Sequence, residues 1–394
     1  MVTSLGLILI GGLFLNYIFS KMKLPGLLGM LILGVLIGPN MFNLIDEKLM
    51  YVSAELRKLA LIVILLRAGL GISKEKLNEV GFTAIKMSFI PGLLEGFTIA
   101  YFAMKFFGFT FIQGSILGFI IAAVSPAVVV PLMLEFSNNK IGTKKNIPTL
   151  ILAGASIDDV VAITIFSTFL GLYSGSNINI GIKLLSIPVS ILLGIGMGVI
   201  VGFLMIKIFN KYHIRDTKKV LIILSFAIFL TSIEQFFKHK IEIAALLGVM
   251  TIGFIILEKK EVLAKRLANK FNKIWIFAEI LLFVLVGAQV DVSIALEAGK
   301  FGIIIILLGL ISRSIGVIIS IFNTNLNQKE KIFCIVSYWP KATVQAAIGA
   351  IPLSFGVEGG DLILALAVLS IVITAPIGAI LIKYMGYNYL EKEA

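Results

Sequence analysis

Apolar residues in this chain come in long, nearly unbroken stretches separated by short polar connectors. A helix needs about 20 mostly apolar residues to span roughly 30 Å of hydrocarbon. About thirteen stretches approach that length: A 3–20, B 24–38, C 53–72, D 82–104, E 111–134, F 148–172, G 184–206, H 219–236, I 241–257, J 274–290, K 299–321, L 331–353 and M 361–382. The connectors carry Gly, Pro, Asn and Lys. No GxGxxG segment follows a strand pattern, so nothing in the pattern predicts a dinucleotide-binding unit. The expectation is an all-α polytopic membrane protein of about 13 transmembrane helices in one transmembrane unit, residues 1–394.

Composition agrees. Of 394 residues 59% are hydrophobic and 14% charged, and the mean hydropathy is +1.05. Soluble domains carry about 25% charged residues, which argues against a soluble protein, a disordered chain or a nucleic-acid partner. One cysteine, Cys334, allows no internal disulfide, and His213 and His239 sit in lysine-rich connectors with no Cys/His zinc pattern. No cofactor and no enzymatic chemistry is expected. The first stretch lacks a basic leader and a small-residue cleavage site, so it reads as a retained helix.

The net charge of +12 changes meaning once it is located. The connectors after A, C, E, G, I and K and the tail after M hold 22 Lys and Arg, whereas Lys48, Lys105, Lys183, Lys238, Lys240 and Lys300 are the 6 on the other side. The positive-inside rule then predicts a multi-pass cell-membrane protein with its N-terminus outside and its C-terminus in the cytoplasm.

The chain also repeats. Leu27-Leu28-Gly29-Met30 followed by Gly34 in B matches Leu246-Leu247-Gly248-Val249 followed by Gly253 in I. The end of C, Leu66-Arg67-Ala68-Gly69-Leu70, matches the end of J, Leu285-Val286-Gly287-Ala288-Gln289. Ser125-Pro126-Ala127-Val128-Val129 in E has its counterpart in Trp339-Pro340-Lys341-Ala342-Thr343-Val344 in L. The order is kept and the offset of seven spans is odd, so the halves run in opposite directions, the plan of many secondary transporters. The expected organisation is inverted five-helix repeats over 24–172 (core helices 82–172) and 241–383 (core helices 299–383), joined by linker helices over 173–240. Pro126 and Pro131 in E and Pro340 in L are expected to break their helices near the midplane, leaving dipole ends that need countercharges.

Charges lie where lipid should be. Arg57, Lys58, Arg67 and Lys86 lie near span ends and are expected to snorkel to the headgroups. Arg313 and Lys341 are deeper, Glu95 is mid-span in D, and Glu279 lies near an interface. Asp158 and Asp159 stand side by side in F, where each charge costs at least about 2.5–3.5 kcal/mol. Two adjacent carboxylates in a dry cavity titrate as a coupled unit, and a proton and a small hard cation compete for their oxygens. Ser125 and the loosened carbonyls of E are available to complete a cation shell. Competition for one site is sufficient for exchange.

Ala155-Ser156-Ile157-Asp158-Asp159-Val160, with Ser125-Pro126-Ala127-Val128-Val129-Val130-Pro131 and Pro340-Lys341-Ala342-Thr343-Val344-Gln345-Ala346-Ala347, closely resembles the cation:proton antiporter superfamily, in particular its NHA-type sodium/proton antiporters. The resemblance spans nearly the whole chain. It implies an NhaA-like fold with crossed broken helices E and L, elevator-like alternating access and a homodimer in the bilayer. It implies Na⁺ (or Li⁺) ligation with Asp159 as principal ligand, and a membrane-embedded base as partner of Asp158. Many electrogenic relatives supply a lysine from the helix before the second broken one; here that helix is K, and it offers Arg313, which stays charged. Arg313 and Lys341 both remain candidate partners of Asp158, and Glu95 and Arg313, on equivalent helices, are expected to pair. The predicted function is electrogenic Na⁺/H⁺ exchange. A K⁺/H⁺ antiporter and a proton-linked monovalent cation channel remain as alternatives. An aspartyl protease would need two aspartates converging from separate helices.

Overall fold

The structure is a computed structural model that describes residues 1–22, 24, 26–72, 74–173, 180–237, 243–289 and 299–393. Lys23, Lys238, His239 and Lys240 lie outside the described residues, as do parts of the predicted linker 173–240.

Among the described residues the chain is helical, and eight helical segments are long and apolar enough to cross a membrane. In chain order they begin with α1 (Val2–Lys21), α2 (Gly26–Ile37), α3 (Glu47–Tyr51), α4 (Ser53–Gly69), α5 (Lys74–Phe107), α6 (Phe111–Ala122) and α7 (Pro126–Asn138). There follow α8 (Ile147–Tyr173), α9 (Ile180–Lys211), α10 (Asp216–Phe237), α11 (Ala245–Lys259) and α12 (Glu261–Ala288). The last are α13 (Gly299–Ser320), α14 (Gln328–Ser337), α15 (Thr343–Ile348), α16 (Ile351–Ser354) and α17 (Gly360–Tyr389). Local chemistry marks several starts. Thr110 and Gln113 form a capping box on α6, and Asn327 and Glu330 form one on α14, each satisfying helix N–H groups that have no partner within the helix.

The helices pack in two groups. In one, α12 lies against α2 and α4, and α11 against α4 and α9. Backbones approach closely here because only glycine fits: a Cβ on Gly34 of α2 would collide with Val284 and Gly287 of α12, and one on Gly253 of α11 with Leu66 and Gly69 of α4. In the other, α5 lies against α6, α8 and α13, while α17 carries α14, α15 and α16. Connectors at one end of this second group are tied together: Lys145 bridges to Glu330 at 2.7 Å, Asn146 bonds Glu79, and Lys144 reaches Glu391 at 3.6 Å.

The structure departs from the sequence expectation at Pro131 and at Arg57. Residues 123–125 separate α6 from α7, and residues 338–342 separate α14 from α15. Pro126 is the first residue of α7, where a proline's missing N–H costs nothing, and Pro340 lies within the second gap. Pro131 breaks nothing: it lies inside α7, because a single lost bond bends a helix without ending it when neighbours take up the freed carbonyl. Arg57 does not snorkel either. It is 6% exposed, and its Nε donates to Ser53 O at 3.3 Å. Arg67 is held by Asn272 Oδ1 at 2.8 Å and lies over the Trp275 ring.

Candidate functional site

Each break leaves carbonyls without helical donors on one side and N–H groups without acceptors on the other. A chain buried in hydrocarbon must satisfy them internally. The two breaks first tie to each other: Ser125 N donates to Pro340 O at 2.8 Å. Around that contact the structure gathers side chains from α5, α8, α13 and the second break.

Arg313 of α13 is the hub, with no solvent exposure. Its Nη2 donates to Asp158 Oδ2 at 3.0 Å and Oδ1 at 3.1 Å, one nitrogen shared between both carboxylate oxygens, so the planar guanidinium can turn its other terminal nitrogen to a second acid. Its Nη1 donates to Glu95 Oε2 at 2.6 Å and also to Ala122 O, at the open carbonyl end of α6. Its guanidinium lies over the Tyr338 ring, 5.3 Å from the centroid. Lys341 Nζ donates to the same Glu95 oxygen at 2.7 Å and to Ala122 O at 3.3 Å. Two cations therefore converge on one carboxylate oxygen and on the negative end of a half-helix. Buried charges survive only when so paired.

On the positive side of the first break, Val124 N donates to Asp158 Oδ2 at 2.9 Å. Asp158, 1% exposed, is thus held by two guanidinium contacts and one backbone N–H. Lys341 makes its ion pair with Glu95 and none with Asp158. Asp159 differs from its neighbour: it is only partly buried, forms no ion pair among the described residues, and its Oδ1 has no hydrogen-bond partner. Ser125 Oγ is fully buried and equally without a partner. When Asp158, Asp159, Glu95, Arg313 and Lys341 are all ionised, the three acids and two bases carry a net −1. One added monovalent cation, or one added proton, brings that sum to zero.

Two residues escaped the sequence reading. Gln345, 1% exposed, donates from Nε2 to Ile120 O at 3.0 Å, Ile121 O at 3.2 Å and Ala123 O at 2.8 Å. Its signal was a lone amide in an apolar run, inside a motif already singled out. Thr374 Oγ1 accepts Lys341 N at 2.9 Å; a hydroxyl in an apolar helix gives no signal, since it can bond its own backbone, as Thr374 also does to Ser370 O. Glu279, expected near an interface, is partly buried beside Arg67 and away from the site. Among the described residues no three His, Cys, Asp or Glu side chains gather as a resident metal site would require.

Comparison with known proteins gives a consistent result. The family described as "Sodium/hydrogen exchanger, transmembrane" matches residues 5–385. Sodium/hydrogen exchanger 9B2 of Homo sapiens is 34% identical over 386 residues, covering 94% of this chain and 70% of that protein. Sodium/hydrogen exchanger 9B1 of Mus musculus is 36% identical over 409 residues, covering 97% and 69%. The structure of the sodium proton antiporter MjNhaP1 from Methanocaldococcus jannaschii at pH 8 shares the fold, with a TM-score of 0.75 over 98% of each chain at 21% identity.

Proposed function

The chain belongs to the sodium/hydrogen exchanger family, and from that premise we propose that it exchanges Na⁺ or Li⁺ for H⁺ at Asp159, within a multi-pass membrane protein of the cation:proton antiporter type. The observation that carries the reading is the inequality of the two adjacent acids. Asp158 is fully committed to Arg313 and Val124, whereas Asp159 keeps an unpartnered buried oxygen and some exposure. A dehydrated alkali cation needs oxygen ligands, and Asp159 with Ser125 Oγ is the available pair; Asp158 adds negative potential beside it. A proton on Asp159 removes the charge that holds the cation, so the site carries one or the other.

Alternating access fits the packing. We assign α5–α8 and α13–α17 as a moving core and α1, α2, α4 and α9–α12 as the scaffold, with the homodimer formed through the scaffold. The reciprocal glycine contacts of α2 with α12 and of α11 with α4 support the inverted repeat. The thirteen crossings, the external N-terminus and the cell membrane as location rest on the lysine distribution.

Stoichiometry has two readings. Electrogenic exchange, with more than one proton per cation, needs Asp158 or Lys341 to exchange a proton as well as Asp159. The ion pairs favour the other, one-for-one cycle, because a single Na⁺ or a single proton on Asp159 neutralises the cluster. In proteoliposomes with an imposed diffusion potential, reversal that moves with voltage marks the first, and reversal at equal Na⁺ and H⁺ gradients whatever the voltage marks the second.

Asp159→Asn tests the function itself. The amide keeps the volume and loses the charge, so cation-coupled proton flux falls below detection while the protein elutes as one species. Flux at the unsubstituted rate in that variant overturns the assignment. Saturable flux for K⁺ with none for Na⁺ or Li⁺ establishes the K⁺/H⁺ alternative, and non-saturating conductance uncoupled from protons establishes a channel.

A further inference from the structure

The segment between α6 and α7 carries three groups of the site in three consecutive residues: the Ala123 carbonyl, the Val124 N–H and the Ser125 hydroxyl. Nothing in its own geometry holds such a segment still, since it is neither helix nor strand. Its N–H side is held by Asp158 and Pro340 O. Arg313 and Lys341 take the Ala122 carbonyl at the end of α6, and within the segment the Ala123 carbonyl is taken by Gln345: Nε2 is 2.8 Å from Ala123 O and also reaches Ile120 O and Ile121 O in the last turn of α6. The Ala123 carbonyl and the Val124 N–H belong to one planar peptide. Gln345 and Asp158, on separate helices, therefore grip the two ends of the same rigid plane. A donor on the carbonyl also polarises the peptide and strengthens the bond its N–H makes.

We propose that Gln345 is a positioning residue of the exchange site: its carboxamide sets the orientation of the Ala123–Val124 peptide and thereby the place of Ser125 Oγ relative to Asp159. This rests on the exchange reading above. Gln345 does the work with a neutral group, so it occupies the Ile120, Ile121 and Ala123 carbonyls without altering the charge of the five ionised side chains beside it. The chemistry is that of a peptide clamp, and its consequence is cation discrimination, because Li⁺ and Na⁺ differ in radius and respond differently to a displaced ligand.

The test uses the full chain in proteoliposomes, with Na⁺- and Li⁺-driven proton flux as readout. Gln345→Met keeps the volume and removes both N–H donors. The expected result is a KM for Na⁺ raised about tenfold, on the order of the loss of one buried hydrogen-bonded contact, a maximal rate within about threefold of the unsubstituted protein, and an altered ratio of the Na⁺ and Li⁺ KM values. A uniform destabilisation lowers the amount of active protein and moves neither KM nor that ratio. In a Ser125→Ala background the Gln345→Met effect on KM shrinks, because both act through the same segment. If the methionine variant does not yield a single folded species, Gln345→Asn, which keeps the amide one methylene short of the three carbonyls, gives the same readout. An unsubstituted protein that exchanges, with Gln345 variants whose KM values and Na⁺/Li⁺ ratio are unchanged, overturns this inference alone. An unsubstituted protein with no cation-coupled flux overturns the exchange reading and this inference with it.

Discussion

The two helix breaks pose the same physical problem and solve it differently. In each, an N–H freed at the gap is taken by a side chain from the next long helix of the second packing group: Val124 N by Asp158 of α8, and Lys341 N by Thr374 of α17. At the first break the acceptor is ionisable and already paired with Arg313, and its neighbour in sequence is a second, unpaired acid. At the second the acceptor is a hydroxyl, two residues before Pro376, and the charge at the gap is the lysine itself. The difference teaches where exchange can reside. A hydroxyl satisfies a backbone donor at any pH and holds no net charge, so the second break is structural and supplies a counter-charge. An acid pair satisfies the donor and also leaves a second carboxylate, Asp159, without an ion pair among the described residues, which is the group our proposal assigns to exchange.

The most severe way to break this comparison is Arg313→Ala. It strips Asp158 of its base and leaves Glu95 with Lys341 only, and an unmatched buried charge costs about 3–5 kcal/mol. Exchange is lost and the thermal midpoint falls steeply in a melting experiment; a stable, active alanine variant contradicts the hub role. Arg313→Lys keeps the charge but not the planar fork and recovers only part of that stability. Next comes Asp159→Asn, which removes exchange while leaving the midpoint nearly unmoved, since Asp159 makes no ion pair to lose. The third test sets the two acceptors side by side. Thr374→Val leaves the Lys341 N–H unpaired at about 1–3 kcal/mol, with the KM for Na⁺ unchanged, whereas Asp158→Asn also disrupts transport. Exchange abolished by Thr374→Val in a folded protein would erase the distinction between the breaks. The smallest perturbation is a topology reporter, which should leave activity intact: Lys265 is expected to read cytoplasmic, and a position near Ser176, outside the described residues, external. Both on one side overturns the span order.

Much of the helix placement was legible because hydrocarbon imposes a simple rule. A backbone with no water around it must bond within itself, so apolar runs become helices, and stretches D, F and K coincide with α5, α8 and α13. The acid pair was legible for the same reason, since Asp158 and Asp159 have no reason to lie in an apolar run unless something pairs with or uses them. The prolines were less reliable. Pro126, Pro131 and Pro340 look alike in sequence, yet one starts a helix, one lies inside a helix and one lies in a gap. The outcome depends on whether neighbouring helices satisfy the freed carbonyls, and a string of residues does not contain that information.

The sequence by itself determined the helical membrane architecture and the presence of an acid pair and deep bases within apolar runs, because burial cost and helix length are properties of local composition. Only the tertiary structure decided which base serves which acid. Arg313 reaches Asp158 and Glu95 together, Lys341 is drawn to Glu95, and Gln345 takes the Ala123 carbonyl, because pairing depends on distances of a few ångströms between helices far apart in the chain. The same geometry separates two chemically identical neighbours. Asp158 and Asp159 are adjacent on one helix, yet one is held by a guanidinium and the other keeps a buried oxygen without a hydrogen-bond partner.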